Sequence, residues 1–276
     1  MLRGNIRRHV ATALGVSLSK SKYRVYAAFP PWFNLFTFHA TYISTAKMTS
    51  QERHSLTASI AEKTDPSSAA RALIAPAEDK FSTGSPESDI EGGLRPVWGS
   101  IIDVAADTDH QSQEPLVAVL RAVQQQNFAN GASEVTVWGE KVKMWSDLPL
   151  FGASVRDAWN RAPGTGSTND FCASQWRNIN GFLARLTSLS SSTPAFDFSM
   201  FGLWTLRSAF EANEPSPADV DAGKMWFEYA EDVLTKLSSD EKSFQAKVGA
   251  GGGSYADKEW TGFNSQRLEV WQAALR

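Results

Sequence analysis

The sequence predicts an all-α protein, a single-domain helical bundle of roughly eight to ten helices. Nearly every periodic segment after Met48 repeats its apolar residues three and four positions apart, which is the spacing of one helix face. No convincing succession of alternating strand patterns occurs in the same region. With 42% hydrophobic and 21% charged residues, the 276-residue chain has an ordinary globular composition and is long enough to bury a sizeable core.

Residues 1–47 form a basic, aromatic leader that differs from the helical domain predicted at 48–276. The leader contains seven cations and no acid, and three interpretations of it stay open. Its Arg-rich start is typical of an organelle transit peptide. The uncharged aromatic stretch 25–46 raises the possibility of a membrane anchor, although its prolines and polar residues argue against a spanning helix. A good helix cap follows Met48, so the leader is also explained as a gene-model extension.

The first half of the domain begins with two helices joined at Asp65-Pro66, since the N–H that proline lacks is not needed in a first helical turn. A polar loop rich in Gly, Ser and Pro is expected at 82–93. Pro115 opens a later helix, and Asn130-Gly131 closes it. The predicted helices of this half are 50–63, 66–81, 97–105 and 115–123.

The second half begins with the β-branched run 135–138, which we interpret as an extended connection because a lone strand has no sheet to join. Helix 170–189 has apolar residues on an unusually wide arc, so it is predicted to be central to the fold. The predicted helices of this half are 153–161, 170–189, 197–211, 218–237 and 265–275.

Charge and cysteine content exclude several function classes. The residues after Lys47 carry ten more acids than cations, which argues against binding to a nucleic-acid backbone. Cys172 is the one cysteine of the chain, so no intrachain disulfide forms, and a reducing, cytoplasmic location is expected. A mitochondrial location is the alternative if the leader is a transit peptide.

No cofactor or metal is expected from the motifs. The glycine-containing segments 164–169 and 249–254 lie between predicted helices and lack the pattern of a phosphate loop, so flexible connections are expected there. We place His110 in a solvated loop, and we assign Asp103 and Asp107 to an exposed acidic face. Cys172 is expected to be a packing thiol, although the helix dipole would lower its pKa if that first turn were exposed.

Tryptophan is abundant, with nine copies after Met48. Indoles at helical spacing favour core packing, because each buries a large area and has one N–H to satisfy. The other interpretation is an aromatic-lined pocket for a flat or hydrophobic small molecule.

Three segments carry a resemblance to a known family. They read Trp145-Ser-Asp-Leu-Pro-Leu-Phe-Gly152, Arg156-Asp-Ala-Trp-Asn160 and Trp176-Arg-Asn-Ile-Asn-Gly-Phe-Leu-Ala-Arg-Leu186. Together with Leu206-Arg-Ser-Ala-Phe-Glu211, they resemble a family of uncharacterised fungal proteins, domain of unknown function 3632, over most of residues 50–240. The family has no established activity, so the resemblance implies a fold and a fungal setting and nothing about chemistry.

Polar residues on the apolar helix 170–189 need partners if they are buried, since an unpaired buried charge costs several kcal/mol. Glu211 and Asp157 are the candidate partners. Either these residues form a buried network that fixes helix packing, or they form a polar patch at the mouth of a ligand pocket. The residues concerned are Arg177, Asn178, Asn180 and Arg185.

Two functional hypotheses follow. The first is a non-enzymatic helical protein that acts by binding an unknown protein partner. The alternative is a protein of fungal secondary metabolism, a binder or an enzyme, with a Trp-lined pocket for a small apolar or aromatic ligand. The candidate pocket or buried polar cluster consists of Trp145, Trp159, Trp176, Arg177, Asn178, Asn180, Arg185, Trp204 and Glu211.

Overall fold

A computed structural model describes residues 51–81, 85–128 and 134–276, and the leader predicted at 1–47 lies outside these ranges. The all-α prediction is confirmed, because ten α-helices and one two-stranded hairpin occupy the described ranges. No helix in them is both long enough and apolar enough to cross a membrane. The helices are α1 Gln51–Ala61, α2 Pro66–Glu78, α3 Glu87–Asp107, α4 Glu114–Gln124, α5 Phe151–Trp159, α6 Ala173–Ser188, α7 Ser199–Phe210, α8 Pro217–Ser239, α9 Ala246–Gly249 and α10 Ser265–Ala274.

Helix α6 is the centre of the fold, as its wide apolar arc predicts. It packs along α8 and also touches α3, α4 and α7. Its core side chains Ile179, Phe182, Leu183 and Leu186 are fully buried. Helices α1 and α2 pack on α3, and α2 also packs on α4, so the N-terminal helices are part of the same bundle.

The loop predicted at 82–93 is wrong in part, because α3 already begins at Glu87. Glu87 and Asp89 place negative charge in the first turn, where it interacts favourably with the helix dipole. Gly93 lies inside this helix and faces Phe81. A Cβ at this position would lie 2.5 Å from the Phe81 ring. The glycine that suggested a loop is therefore required for close packing.

The extended connection predicted at 135–138 is also wrong, because it forms a β-hairpin. Strand β1 (Glu134–Val137) pairs antiparallel with β2 (Glu140–Lys143). Trp138 and Gly139 make the turn with φ of 54° and 77°, and two positive φ values are what a type I′ hairpin turn requires. The second strand reads Glu-Lys-Val-Lys, which gives no alternating apolar signal.

The glycine run before Ser254 is a packed segment, which corrects the prediction of a flexible connection. Gly252 donates its N–H to Glu211 Oε2 at 2.7 Å. A Cβ on Gly252 would lie 2.5 Å from Glu211 Cβ. Gly252 is required because its backbone lies directly against a buried carboxylate.

Candidate functional site

An apolar groove lies between the hairpin turn, the start of α5 and the start of α7. Its volume is about 370 Å³. Trp138 stands at its edge with 36% of its surface exposed, which makes it the most exposed large hydrophobic residue of the described chain. The other apolar lining residues are Leu148, Pro149, Leu150, Phe151, Ala153, Ala195, Phe198, Met200 and Phe201.

Backbone strain is concentrated around this groove. Five non-glycine residues of the described chain have positive φ, and three of them line the groove. These are Trp138 at 54°, Leu148 at 47° and Leu150 at 66°. A left-handed conformation costs an L-residue roughly 1–2 kcal/mol, and such residues cluster where proteins bind or act.

Three charged residues, Asp147, Arg156 and Asp197, form the polar part of the groove wall. Asp147 accepts a hydrogen bond from the Lys143 N–H at 2.8 Å. Asp197 forms an ion pair with Lys242 at 2.7 Å. Burial raises the pKa of Asp197, but the hydrogen bonds from Lys242 and a neighbouring serine outweigh it, so the pKa is lowered overall. Burial lowers the pKa of Arg156, so an anion beside it would stabilise its charged form.

Three of the four predicted tryptophans form a cluster that shares Phe201 with the groove. The rings of Trp159 and Trp176 are 4.7 Å apart, and Phe201 lies 4.8 Å from Trp159 and 5.5 Å from Trp204. Trp145 lies elsewhere, 6.0 Å from Trp98, and donates to Glu78 at 2.7 Å. None of the four is among the described residues that line the groove.

Two buried indole N–H groups in this cluster have no hydrogen-bond acceptor among the described residues. They belong to Trp176, which is 3% exposed, and Trp204, which is 9% exposed. The Arg156 guanidinium carbon lies 5.5 Å from the centre of the Trp204 ring, within cation–π range. Arg156 and Phe201 therefore link the aromatic cluster to the groove.

The two arginines of the candidate polar cluster are partly exposed and have different partners from those expected. Arg177 pairs with Asp109 at 3.4 Å, and Arg185 pairs with Glu114 at 3.2 Å. Asp157 instead lies 3.4 Å from Arg95. The prediction that Asp157 or Glu211 neutralises these arginines is therefore wrong, because Asp109 precedes α4 and Glu114 begins it, about 70 residues away in sequence.

The two predicted asparagines are buried and bonded. Asn178 donates to the Ala106 carbonyl at 2.9 Å and accepts from the His110 N–H at 3.2 Å. Asn180 Oδ1 accepts from Thr205 at 2.8 Å and from the Trp226 indole at 2.9 Å. Both side chains thus tie α6 to its neighbours, which is the role that buried, satisfied amides have in a core.

Glu211 is fully buried and pairs with the fully buried Arg267. Glu211 Oε1 accepts from Arg267 Nε at 2.6 Å and from the Trp271 indole at 2.7 Å. Glu211 Oε2 accepts from Arg267 Nη2 at 2.9 Å and from the Gly252 N–H. The remaining Arg267 N–H groups point to the carbonyls of Gly249, Ala250 and Gly262. All donors and acceptors of this ion pair are therefore satisfied.

His110 is buried, which corrects its placement in a solvated loop. Its Nδ1 lies 2.6 Å from Tyr229 Oη and 3.7 Å from Glu228 Oε1. Arg185 stacks on the Tyr229 ring at 3.8 Å. Burial, with a hydrogen bond to Glu228, raises the pKa of Tyr229 to about 12.

Cys172 is exposed, which corrects its interpretation as a packing thiol. It precedes α6, and its Sγ lies 3.1 Å from Ser174 Oγ. That hydrogen bond lowers the pKa of the thiol.

The acidic face predicted at Asp103 and Asp107 is partly neutralised, because Arg53 contacts both carboxylates and Arg161 lies 3.1 Å from Asp103. No group of three or more metal-ligating side chains occurs among the described residues.

The family model described as protein of unknown function (DUF3632) matches residues 98–275. The chain belongs to this family. No curated protein and no solved structure matches it.

In this DUF3632 protein the matched region begins at Trp98, in the middle of α3, and runs through α10. It contains the groove and all nine residues predicted for the site. Helices α1 and α2 precede the matched region, although they pack on α3 and α4. The groove is thus part of the segment that identifies the family.

Sequence reasoning missed the groove, although the sequence around Trp138 and around Pro149 indicates turns. Trp138-Gly139 follows a β-branched run, and a glycine at the second position of a two-residue loop favours a hairpin turn. Leu148 and Leu150 flank Pro149, and the residue before a proline favours extended backbone, which is the opposite of the φ of 47° observed at Leu148. The local sequence therefore predicts a turn but not its strained geometry.

Proposed function

We propose that this protein acts by binding another polypeptide in the groove beside Trp138. The observation that carries the proposal is the coincidence of strain, exposure and apolar lining at one place. Strained backbone persists only where the surrounding structure imposes it, and such residues cluster at binding and switch regions. Trp, Met and Arg, which are enriched in protein interfaces, all occur in the groove.

The groove has the form expected of an interface anchor. Its lining is mostly apolar and also contains three charged residues, so a bound side chain would be desolvated while the charges orient the partner. Trp138 and Met200 supply polarizable surface that adapts to an incoming side chain.

We also propose a cytoplasmic location, since an exposed free thiol such as Cys172 is compatible with a reducing compartment.

Site-specific photo-cross-linking tests the proposal. A benzophenone amino acid replaces Trp138 in the full chain, and the cross-linked species are identified by mass spectrometry after irradiation of intact cells. The matched control carries the same group in place of Lys236, an exposed residue of α8 that does not line the groove. We expect discrete polypeptide adducts from position 138 only. Equal adducts from both positions, or none from position 138, would contradict the proposal.

A small apolar ligand is the second candidate, and the size of the groove favours it. A volume of about 370 Å³ falls within the range of small-molecule sites, about 300–1,000 Å³. Native mass spectrometry of the purified full chain separates the two candidates. A non-protein mass that is retained by the wild type and lost from Met200→Asp supports the ligand, and a chain without such a mass supports the polypeptide.

A further inference from the structure

The indole N–H of Trp204 is a buried donor that has no hydrogen-bond acceptor among the described residues. Only 9% of this residue is exposed. Four other buried tryptophans donate to an acceptor at 2.7–2.9 Å, and they are Trp98, Trp145, Trp226 and Trp271. Leaving a buried donor without an acceptor is costly, and a bound molecule that supplies the acceptor removes this cost.

Trp204 stands directly behind the wall of the groove. Its ring lies 5.5 Å from the ring of Phe201 and 5.5 Å from the guanidinium carbon of Arg156, and both of these residues line the groove. Met200, another lining residue, is four positions earlier on α7 and therefore shares a helix face with Trp204. We call the place where Arg156 and Trp204 meet the donor end of the groove.

The two carboxylates of the groove lie at its other end. Asp147 and Asp197 precede α5 and α7, and the starts of these helices meet where the rings of Phe151 and Phe198 are 5.6 Å apart. Both carboxylates accept hydrogen bonds from their own chain. The groove thus has an acidic end and a donor end with apolar lining between them.

The chemistry of the donor end selects an anion. An indole and a guanidinium both donate hydrogen bonds, and neither can accept one, so a ligand atom placed between them must be an acceptor. Arg156 also donates to the amide oxygen of Asn160 at 3.1 Å. Burial lowers the pKa of Arg156, and the neighbouring Asp157 carboxylate offsets only part of this effect. An anionic acceptor would stabilise the charged guanidinium, so the donor end fits a carboxylate.

We propose that the polypeptide enters the groove by its C-terminus, with its terminal carboxylate at the donor end and its last side chain on the apolar lining. This inference rests on the proposed function and names the part of the partner that is recognised. A C-terminal residue carries a carboxylate and a side chain on one carbon atom, which matches donors that lie directly beside Phe201 and Met200. An aspartate or glutamate side chain brings a carboxylate without an apolar group. Capture of a C-terminal carboxylate is a recurring mode of peptide recognition.

Affinity selection from a peptide library tests the inference. The immobilised full chain is offered acetylated pentapeptides whose last three positions are randomised, once as free acids and once as C-terminal amides. Mass spectrometry quantifies the retained peptides. We expect free acids to be retained about tenfold or more over the matching amides, because hydrogen bonds to a charged group are the stronger ones. The retained acids should end in an apolar residue.

Variants of the donor end test the assignment of the two donors. Arg156→Gln should remove most of the preference for the acid, whereas Arg156→Lys keeps the positive charge and should retain part of it. Trp204→Phe keeps the ring and removes only the N–H, so the preference should fall several-fold. Arg177→Gln is the matched control, because Arg177 pairs with Asp109 outside the groove. Circular dichroism confirms that each variant is folded.

Equal retention of acids and amides by the wild type would overturn the inference, as would an acid preference that survives both Arg156→Gln and Trp204→Phe. Decanoate tests a small acid as the occupant. Binding of decanoate that Arg156→Gln abolishes, with no library peptide retained, would assign the carboxylate to a small molecule and also overturn the inference.

The proposed function fails separately, through the cross-linking experiment. Acids and amides that are retained equally, and lost from Met200→Asp, keep the proposed function and exclude recognition of the C-terminus.

Discussion

Around Glu211 and Arg267 every charged atom has a partner, whereas the groove combines strained backbone with an exposed tryptophan and a charged wall. Both regions contain arginine, carboxylate and indole groups. In the first, two helices and a glycine segment surround them completely. In the second, the same kinds of group lie at the surface. The comparison teaches that residue type alone does not separate a structural cluster from the proposed binding site, and that burial and backbone strain differ between the two.

The ion pair is the more rigid of the two regions because its geometry is over-determined. Arg267 uses all five of its N–H groups, and Glu211 accepts four hydrogen bonds. A buried ion pair stabilises a fold only when its desolvation is offset by such contacts. Burial and the neighbouring positive charge of Arg267 lower the pKa of Arg207, which donates to the carbonyls of Val248 and Ala250. The C-terminal segment is thus fastened to the end of α7.

The largest expected effect comes from breaking the ion pair. Glu211→Ala leaves the Arg267 charge buried without its partner, so the free energy of unfolding should fall by about 3–5 kcal/mol. Urea denaturation measures this. The matched control is Asp240→Ala, which removes an exposed partner 2.8 Å from Lys236 and should change stability by less than about 0.5 kcal/mol. A loss for Glu211→Ala that is no larger than the control's would refute the structural role of the pair.

The next effect concerns a tryptophan of the core. Trp176→Ala removes a side chain that is 3% exposed and leaves a cavity against Trp159, so a loss of about 3 kcal/mol or more is expected. Thermal unfolding followed by circular dichroism measures it. If this variant unfolds at the wild-type temperature, then Trp176 is not part of the packed core.

The groove tryptophan should behave in the opposite way. Trp138→Asn places a residue that favours positive φ in the turn, so the free energy of unfolding should rise by about 0.5–1 kcal/mol while photo-cross-linking to a polypeptide at the groove weakens. Glu241→Asn is the control, because Glu241 also has positive φ, at 50°, but lies outside the groove. It should gain stability and bind polypeptides in the groove as the wild type does. Lost stability together with unchanged polypeptide binding in Trp138→Asn would remove the contrast between the two regions.

The smallest expected effect concerns the cluster around His110. The burial of His110 is intermediate between that of the ion pair and that of Trp138. The pKa of Tyr229 is raised to about 12, so this phenol stays protonated in the folded protein between pH 10 and 12 while it ionises in the unfolded chain. The folded state then binds more protons, and its stability should fall as the pH rises through that window. Ultraviolet titration of the wild type against Tyr229→Phe measures the ionisation. A tyrosine difference signal centred near pH 10 would contradict the assignment.

Sequence alone predicts most of the helices, because their apolar residues repeat locally. Helix α6 is predicted at 170–189 and spans Ala173–Ser188, and α8 is predicted at 218–237 and spans Pro217–Ser239. The failures occur where tertiary packing overrides local preference. Gly93 signals a loop but lies in a helix against Phe81. The charged strand β2 gives no apolar alternation, since a two-stranded hairpin does not bury both of its faces.

The site residues were harder to place because their roles depend on partners distant in sequence. The sequence makes Glu211 a candidate partner of the polar residues of α6, whereas its partner Arg267 is 56 residues further along the chain. His110 meets Tyr229 across 119 residues. Arg177 and Arg185 have a helical spacing that shows their common face but not what lies opposite it. Burial of Asn178 and Asn180 follows from the apolar arc of α6, whereas their acceptors and donors do not.

Oxidative footprinting of the groove in intact cells tests most directly whether a polypeptide covers it. Hydroxyl radicals label Trp138 and Met200, and the labelled fraction is compared between cells and dilute purified protein, with Trp260 as the internal control. We predict that labelling of Trp138 and Met200 is several-fold lower in cells while that of Trp260 is unchanged. Equal labelling of Trp138 and Met200 in both conditions would show an uncovered groove and contradict the account.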